Sequence, residues 1–187
     1  MSDSVNLHAL INQGEAITEH VIELFNELNA TQLNWKPDAQ SWSIAQCLDH
    51  LIVGNSSYFP VFQQMIEGSY KASWWARISP FSGYFGRLML DNFGAEVKKK
   101  YKAPPLFQPT QSEIQGTIVQ DFIRHQQELL GLYGKMERAD PNTVLASPAL
   151  GLLTYPLRDA FTFLIGHEER HVNQAKRVLE HPQFPKA

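Results

Sequence analysis

The chain of 187 residues has a single cysteine, Cys47, which leaves no partner for an internal disulfide. Disulfides belong to oxidising compartments, so their exclusion fits a reducing one. No stretch approaches the 18 consecutive apolar residues of a transmembrane helix. The first residues also lack the basic and apolar regions of a secretory signal. We therefore expect a cytoplasmic protein that does not enter a membrane.

The chain also lacks a large excess of either charge. It has 16 Lys and Arg and 19 Asp and Glu, which gives a net charge of −3. This balance gives no overall attraction to nucleic acid or anionic lipid. The basic run at 98–102 is short, and we interpret it as a solvated segment rather than a nucleic-acid patch. The charge pattern predicts no nucleic-acid partner, and we expect a small-molecule substrate.

Apolar residues recur at intervals of three and four along four stretches, which is the spacing of a helix with one buried face. The predicted helices cover residues 4–29, 43–68, 110–137 and 155–181. No strand is predicted. The expected caps are Ser4 for the first helix, Ser41 or Ser43 for the second and Thr110 or Ser112 for the third. Pro60 predicts a kink in the second helix and Gly68 its end.

The connection between the second and third helices, residues 69–110, is much longer than the usual 2–8 residues. It is rich in aromatic residues, and we predict one short helix at about 83–92 within it. It serves either as a lid over a pocket or as a crossover packed along the molecule. The aromatic part, 69–93, is also a candidate surface for a homodimer.

Four helices of this length predict an all-α fold, a four-helix bundle formed by a single domain over 1–187. Short loops join antiparallel neighbours, whereas a connection of about forty residues can run the length of a bundle. The second and third helices are therefore expected to be parallel, which gives an up-down-down-up order.

The most informative motif is G-H-E-E-R-H at 166–171, in which His167 and His171 are four residues apart. On a helix this spacing places both imidazoles on one face, close enough to bind one metal ion. The spelling is also the H-E-x-x-H of zinc metalloproteases. That interpretation fails, because no third ligand follows His171 at a usable position and no strand is predicted to hold a peptide.

A third ligand has to come from an upstream histidine. His50 lies on the flank of a strongly apolar helix, and His125 lies on the inward stripe of the third helix. The spacing does not decide between these two histidines as the third ligand, and we rank His50 first. Cys47, one turn before His50, is a further possible ligand, although a packed core cysteine is the simpler interpretation.

Two segments resemble the DinB/YfiT-like metalloenzyme family. They are W-K-P at 35–37 followed by W-S-I-A-Q-x-x-x-H at 42–50, and D-A-F-T-F-L-I-G-H-E-E-R-H at 159–171. The segment K-A-P-P-L-F-Q-P at 102–109 is similar to the crossover of that family. The resemblance implies an up-down-down-up bundle with a divalent metal, most often zinc or nickel, held by His50, His167 and His171. It also implies an open coordination position, as in catalytic sites.

Members of the family include transferases and isomerases that use a low-molecular-weight thiol, and others are regarded as metal-dependent hydrolases. The resemblance therefore implies a metal-dependent transferase or hydrolase, and a thiol as a possible second cofactor. A non-catalytic metal-binding or stress-associated bundle is the alternative from another class.

Several polar and aromatic residues near the proposed ligands are candidates for lining the pocket or orienting a ligand. Those candidates are Trp42, Gln46, Asp49, Glu168 and Gln174. Glu168 directly follows a proposed ligand and points about 100° away around the helix, so we expect it at the surface or behind the ligands.

Overall fold

A computed structural model of the protein describes residues 6–93, 113–148 and 151–186. These residues are mostly helical and include one small sheet. The elements, in chain order, are α1 Leu7–Phe25, α2 Ala30–Asn34, α3 Ile44–Ser56, α4 Phe59–Ile66, α5 Trp74–Ile78, α6 Ser82–Phe93, α7 Ile118–Lys135, β1 Val144–Ala146, β2 Thr154–Pro156 and α8 Leu157–Leu179.

The first helix is shorter than predicted. Ser4 lies outside the described residues, and Asn6 caps α1 by accepting a hydrogen bond from the Ala9 amide at 3.1 Å. The helix ends at Phe25 instead of residue 29. A second cap explains the early end, because Asn29 and Gln32 form a reciprocal capping box that begins the separate helix α2. The apolar spacing did not reveal this restart.

The predicted second helix is divided in two. Ser43 and Gln46 form the capping box that begins α3, in agreement with one of the two expected caps. The predicted kink at Pro60 is a complete break, since α3 ends at Ser56 and α4 begins at Phe59 with proline in its first turn. Proline is tolerated there because the first helical amides have no intrahelical acceptor. Gly68 has a φ of 68°, which suits the predicted helix stop.

The prediction of no strand was wrong. Strands β1 and β2 pair antiparallel, with Leu145 opposite Tyr155. The Tyr155 hydroxyl is 2.6 Å from that of Tyr58, so a buried hydrogen bond ties the sheet to the end of α3. Strands of three residues are too short to show a periodicity in sequence, and tertiary contacts stabilise them.

The long connection contains two helices in its described part. The short helix predicted at 83–92 corresponds to α6, and α5 was not predicted. The basic run at 98–102, the segment 102–109 and the proposed caps Thr110 and Ser112 lie outside the described residues. The third long helix, α7, begins at Ile118, later than the predicted residue 110.

The core lies between four longer helices. Helix α1 packs against α7 and α8, and α3 packs against the same two. Their apolar stripes meet in one buried cluster that includes Phe25, Leu48, Phe122, Leu129 and Phe161. Helix α6 covers α8 and β2 from outside. No helix among the described residues is long and apolar enough to cross a lipid bilayer.

Candidate metal centre

Three histidines converge where α3 packs against α8. His50 comes from α3, and His167 and His171 come from consecutive turns of α8. One nitrogen from each ring lies within 4.8 Å of the others. Nε2 of His50 and Nε2 of His167 are 3.3 Å apart. The fold therefore brings together the three residues that the family resemblance singled out.

The geometry of the cluster fits one shared metal ion. Two imidazole nitrogens bonded at 2.0–2.1 Å to a tetrahedral ion are about 3.4 Å apart, close to the observed His50–His167 separation. Nδ1 of His171 is buried and makes no hydrogen bond within the described chain. Buried polar atoms are normally satisfied, so this cluster is short of a partner that an ion or ligand would supply.

The electrostatic surroundings of the two histidines on α8 keep their rings neutral. Burial lowers the pKa of His167 well below its ordinary value, and the neighbouring His171, His50 and Arg170 lower it further. Burial also lowers the pKa of His171, with His50 and Arg170 adding to the effect and the polar side chain of Gln174 opposing part of it. Neutral imidazole is the form that binds a metal, so no proton has to leave at pH 7.

Two aromatic rings hold the imidazoles in place. The ring of Trp42 is stacked on His171 at 5.7 Å and lies 4.9 Å from the ring of His50. The ring of Phe163 is stacked on His167 at 5.2 Å. Trp42 was a predicted pocket residue, whereas Phe163 was missed. Its position four residues before His167 was the available signal, because residues at this spacing meet on a helix surface.

Glu168 points into the core, and the alternative expectation of a surface position was wrong. Its side chain is fully buried and faces the helices instead of the surface. The carboxyl oxygens accept hydrogen bonds from Asn55 Nδ2 at 2.6 Å and Gln126 Nε2 at 2.7 Å. Burial raises the pKa of this carboxyl to about 8, and the two amides oppose the shift.

Both amide partners of Glu168 were missed by the sequence analysis. Gln126 lies four residues after the buried Phe122, so its place on the inward stripe was the visible signal. The contacts also count against a metalloprotease-like role, because both carboxyl oxygens accept hydrogen bonds in the core, whereas the glutamate of an H-E-x-x-H protease acts as a general base at the metal.

The remaining predicted pocket residues lie close to the ligands along α3 and α8 and differ in burial. Gln46 is buried in the first turn of α3, where its Oε1 accepts the Ser43 amide at 3.3 Å. Asp49 precedes His50 and is half-buried. Gln174 is half-buried beside His171. Gln46 therefore stabilises the start of α3 through this capping bond, a role that was not predicted for it.

The alternative ligands lie elsewhere in the described chain. The imidazole of His125 stacks on Phe59 with the ring centroids 5.0 Å apart and the planes 8° apart. Burial lowers its pKa to about 4. Cys47 is completely buried in the apolar core, which raises the pKa of its thiol to about 12. Neither residue belongs to the three-histidine cluster.

Comparison with known proteins gives one family and one curated relative. The family model of the DinB superfamily matches residues 13–175. The chain is 28% identical over 165 residues to the uncharacterized protein YuaE of Bacillus subtilis (strain 168), covering 85% of this chain and 92% of that protein. No solved structure matches the chain.

Proposed function

This chain belongs to the DinB superfamily, and on that premise we propose that it is a metal-dependent enzyme whose ion is held by His50, His167 and His171. Proteins of the superfamily bind divalent metals. The observation that carries the proposal is the placement of three ligand nitrogens within 4.8 Å of one another. A set of neutral imidazoles suits zinc or nickel, whereas magnesium and calcium prefer oxygen ligands.

The surroundings of the ligands favour a reactive site over a closed structural one. When bound, the ion would act as a Lewis acid whose charge no ligand carboxylate compensates. Trp42 and Phe163 would exclude water from two sides and hold the imidazoles in orientation. His167 is partly buried, whereas His50 and His171 are buried. Glu168 is bonded in the core, so we assign it no role as a base.

For the reaction, we propose transfer involving a low-molecular-weight thiol and a small electrophilic substrate. The thiol would be a second cofactor, deprotonated next to the ion. A metal-dependent hydrolase is the second candidate, since the same three-nitrogen donor set activates water in other enzymes. A non-catalytic metal-binding or stress-associated protein is the third. Family membership and the three-nitrogen donor set are compatible with all three candidates. The assays below separate them.

The experiment that tests the metal site is a titration of the purified protein with zinc, nickel and manganese. We expect saturable binding of one ion, which His50→Ala abolishes. His125→Gln is the matched control, because it removes a buried histidine outside the cluster and should leave binding intact. Absence of saturable binding to the wild-type protein would end the proposal.

The reaction classes are separated by a second assay on the metal-loaded protein. Small thiols are screened against a model electrophile, and model esters are screened for hydrolysis. Turnover that requires both thiol and His50 supports the transferase. Ester cleavage without thiol supports the hydrolase. Metal-dependent stability with no turnover in either screen supports the non-catalytic alternative.

We further propose that the chain is one domain over 1–187 with an up-down-down-up four-helix bundle. The contacts support this arrangement, because α1, α7, α3 and α8 form a closed ring in which α1 and α3 each contact both of the others. The long connection between α4 and α7 leaves room for the parallel pair. An experimental structure with an anomalous metal signal would test the topology and the ligands together.

A homodimer through the aromatic helices α5 and α6 is also proposed. Trp74, Phe81 and Tyr84 are 73%, 53% and 62% exposed, which is unusual for aromatic side chains so close together in sequence. A monomer in sedimentation at micromolar concentration would remove this proposal.

The single cysteine supports a cytoplasmic location, which fractionation of cells would test.

A further inference from the structure

Glu168 forms a hydrogen-bonded link between the two helices that carry the proposed metal ligands. On α8 it directly follows His167, and its side chain turns inward to accept the 2.6 Å hydrogen bond from Asn55. Asn55 belongs to α3, the helix of His50. One bond thus joins the two helices whose separation determines how closely His50 approaches His167.

Gln126 binds the other oxygen of the same carboxyl group but comes from a helix without a ligand. It lies on α7, and its Nε2 also contacts the carbonyl oxygen of Gly14 on α1 at 3.3 Å. Asn55, Gln126 and Glu168 are all completely buried. The two amides therefore share an environment and an acceptor, and differ in the helix they tie to α8.

The carboxyl group also determines how the two amides are oriented. Oδ1 of Asn55 and Oε1 of Gln126 have no hydrogen-bond partner among the described residues. Each amide is consequently oriented by its bond to Glu168, with the extra Gly14 contact for Gln126. Buried groups of this kind are costly to leave unpaired, so the link has one preferred geometry.

We propose that Glu168 and Asn55 are positioning residues of the metal centre. Their hydrogen bond fixes the distance and rotation between α3 and α8, and thereby places His50 Nε2 3.3 Å from His167 Nε2. The link from Gln126 stabilises the core without setting that distance. This inference rests on the proposed metal site and adds a determinant of its affinity.

The test compares Asn55→Leu with Gln126→Met, two substitutions that remove one amide each and roughly keep its volume. Zinc affinity is measured by competition with a chromophoric chelator, and ligand geometry by the visible spectrum of the cobalt-loaded protein. We expect Asn55→Leu to weaken zinc binding about 10–100-fold, the usual effect of losing a group that orients ligands, and to change the cobalt spectrum. Gln126→Met should bind zinc within about three-fold of wild type.

A loss of affinity in Gln126→Met as large as in Asn55→Leu overturns the inference, because general loosening of the core would then be the cause. Unchanged affinity in Asn55→Leu overturns it as well. If Asn55→Leu does not fold, Asn55→Ser replaces it with the same two outcomes. Failure of the wild-type protein to bind zinc would instead contradict the proposed function, so the two failures are distinguishable.

Glu168→Gln tests whether a neutral side chain of the same shape can replace the carboxylate in holding the ligands. The oxygen of the new amide still accepts from Asn55, and Gln126 can turn its amide so that its unpaired oxygen accepts from the new NH₂ group, giving up its 3.3 Å contact with Gly14. We therefore expect Glu168→Gln to keep zinc affinity within a few-fold of wild type and Glu168→Leu to lose it as Asn55→Leu does. Equal losses in Gln and Leu variants would contradict positioning by hydrogen bonds.

Discussion

Nε2 of His50 lies 3.3 Å from Nε2 of His167, although 117 positions separate the two residues in the chain. Two imidazoles at this distance share either one proton or one metal ion. The third ring, His171, is within 4.5 Å of both by ring centroid, and its Nδ1 has no hydrogen bond within the described chain. A shared proton engages only two of the rings, whereas a shared ion engages all three.

Metal removal is expected to lower the thermal stability of the protein. A ligand that binds only the folded state at 100 times its Kd adds about 2.7 kcal/mol, equivalent to roughly 5–10 °C in Tm for a chain of this size. Calorimetry with zinc and then with excess chelator measures the difference. His50→Ala should show no such difference, and a chelator effect of equal size in that variant would place the ion elsewhere.

Trp42 should report metal binding by fluorescence. Its ring is 4.9 Å from that of His50 and stacked on that of His171, so nickel or cobalt bound there should quench its emission by short-range energy or electron transfer. We expect Trp42→Phe to remove most of the quenching that metal causes. Trp35→Phe is the control, because Trp35 packs against His181 and Phe184 instead. Undiminished quenching in Trp42→Phe would contradict the location of the site.

Folding stability of the metal-free protein should fall with acid, in part because of His125. Its pKa is about 4 in the folded state against an ordinary 6.5. Above pH 6.5 the ring is neutral in both states and contributes nothing to the pH dependence. Between pH 6.5 and 4 only the unfolded chain binds the proton, so stability is lost as pH falls, up to about 3 kcal/mol in all.

Urea denaturation at a series of pH values measures this effect. His125→Phe should flatten the dependence between pH 6.5 and 4 by up to about 1.4 kcal/mol per pH unit. His167 and His171 have lowered pKa values too, so a residual slope is expected in the variant. An unchanged slope in His125→Phe would show that the ring is protonated in the folded state.

The packing of α6 on α8 depends on Gly86. A Cβ atom added there would overlap the carboxylate of Asp159, at 2.9 Å from its Cγ and 3.2 Å from its Cβ. Gly86→Ala is therefore expected to destabilise the protein by about 1–3 kcal/mol. Gly83→Ala, on the same helix with open space around it, should be neutral or stabilise by up to about 1 kcal/mol. Urea midpoints of the two variants measure the contrast, and equal effects would contradict the close approach.

The family resemblance of two sequence segments was confirmed by the family match over 13–175. The helical periodicity also predicted the stretches that contain α1, α3, α7 and α8, because one buried stripe leaves a visible pattern at 3.6 residues per turn, although α3 ends well before residue 68 and α7 begins well after residue 110. Helix caps such as Ser43 could also be predicted, because the partner of a cap lies only three residues away in the sequence.

The sequence by itself determined the pair on α8, because His167 and His171 meet through helix geometry alone. Only the tertiary structure decided that His50 joins them and that His125 stacks on Phe59 instead. It also decided that Glu168 turns into the core toward Asn55 and Gln126. These outcomes depend on how helices distant in sequence pack against each other. The residue pattern within one helix does not show which side chains of a distant helix it will contact.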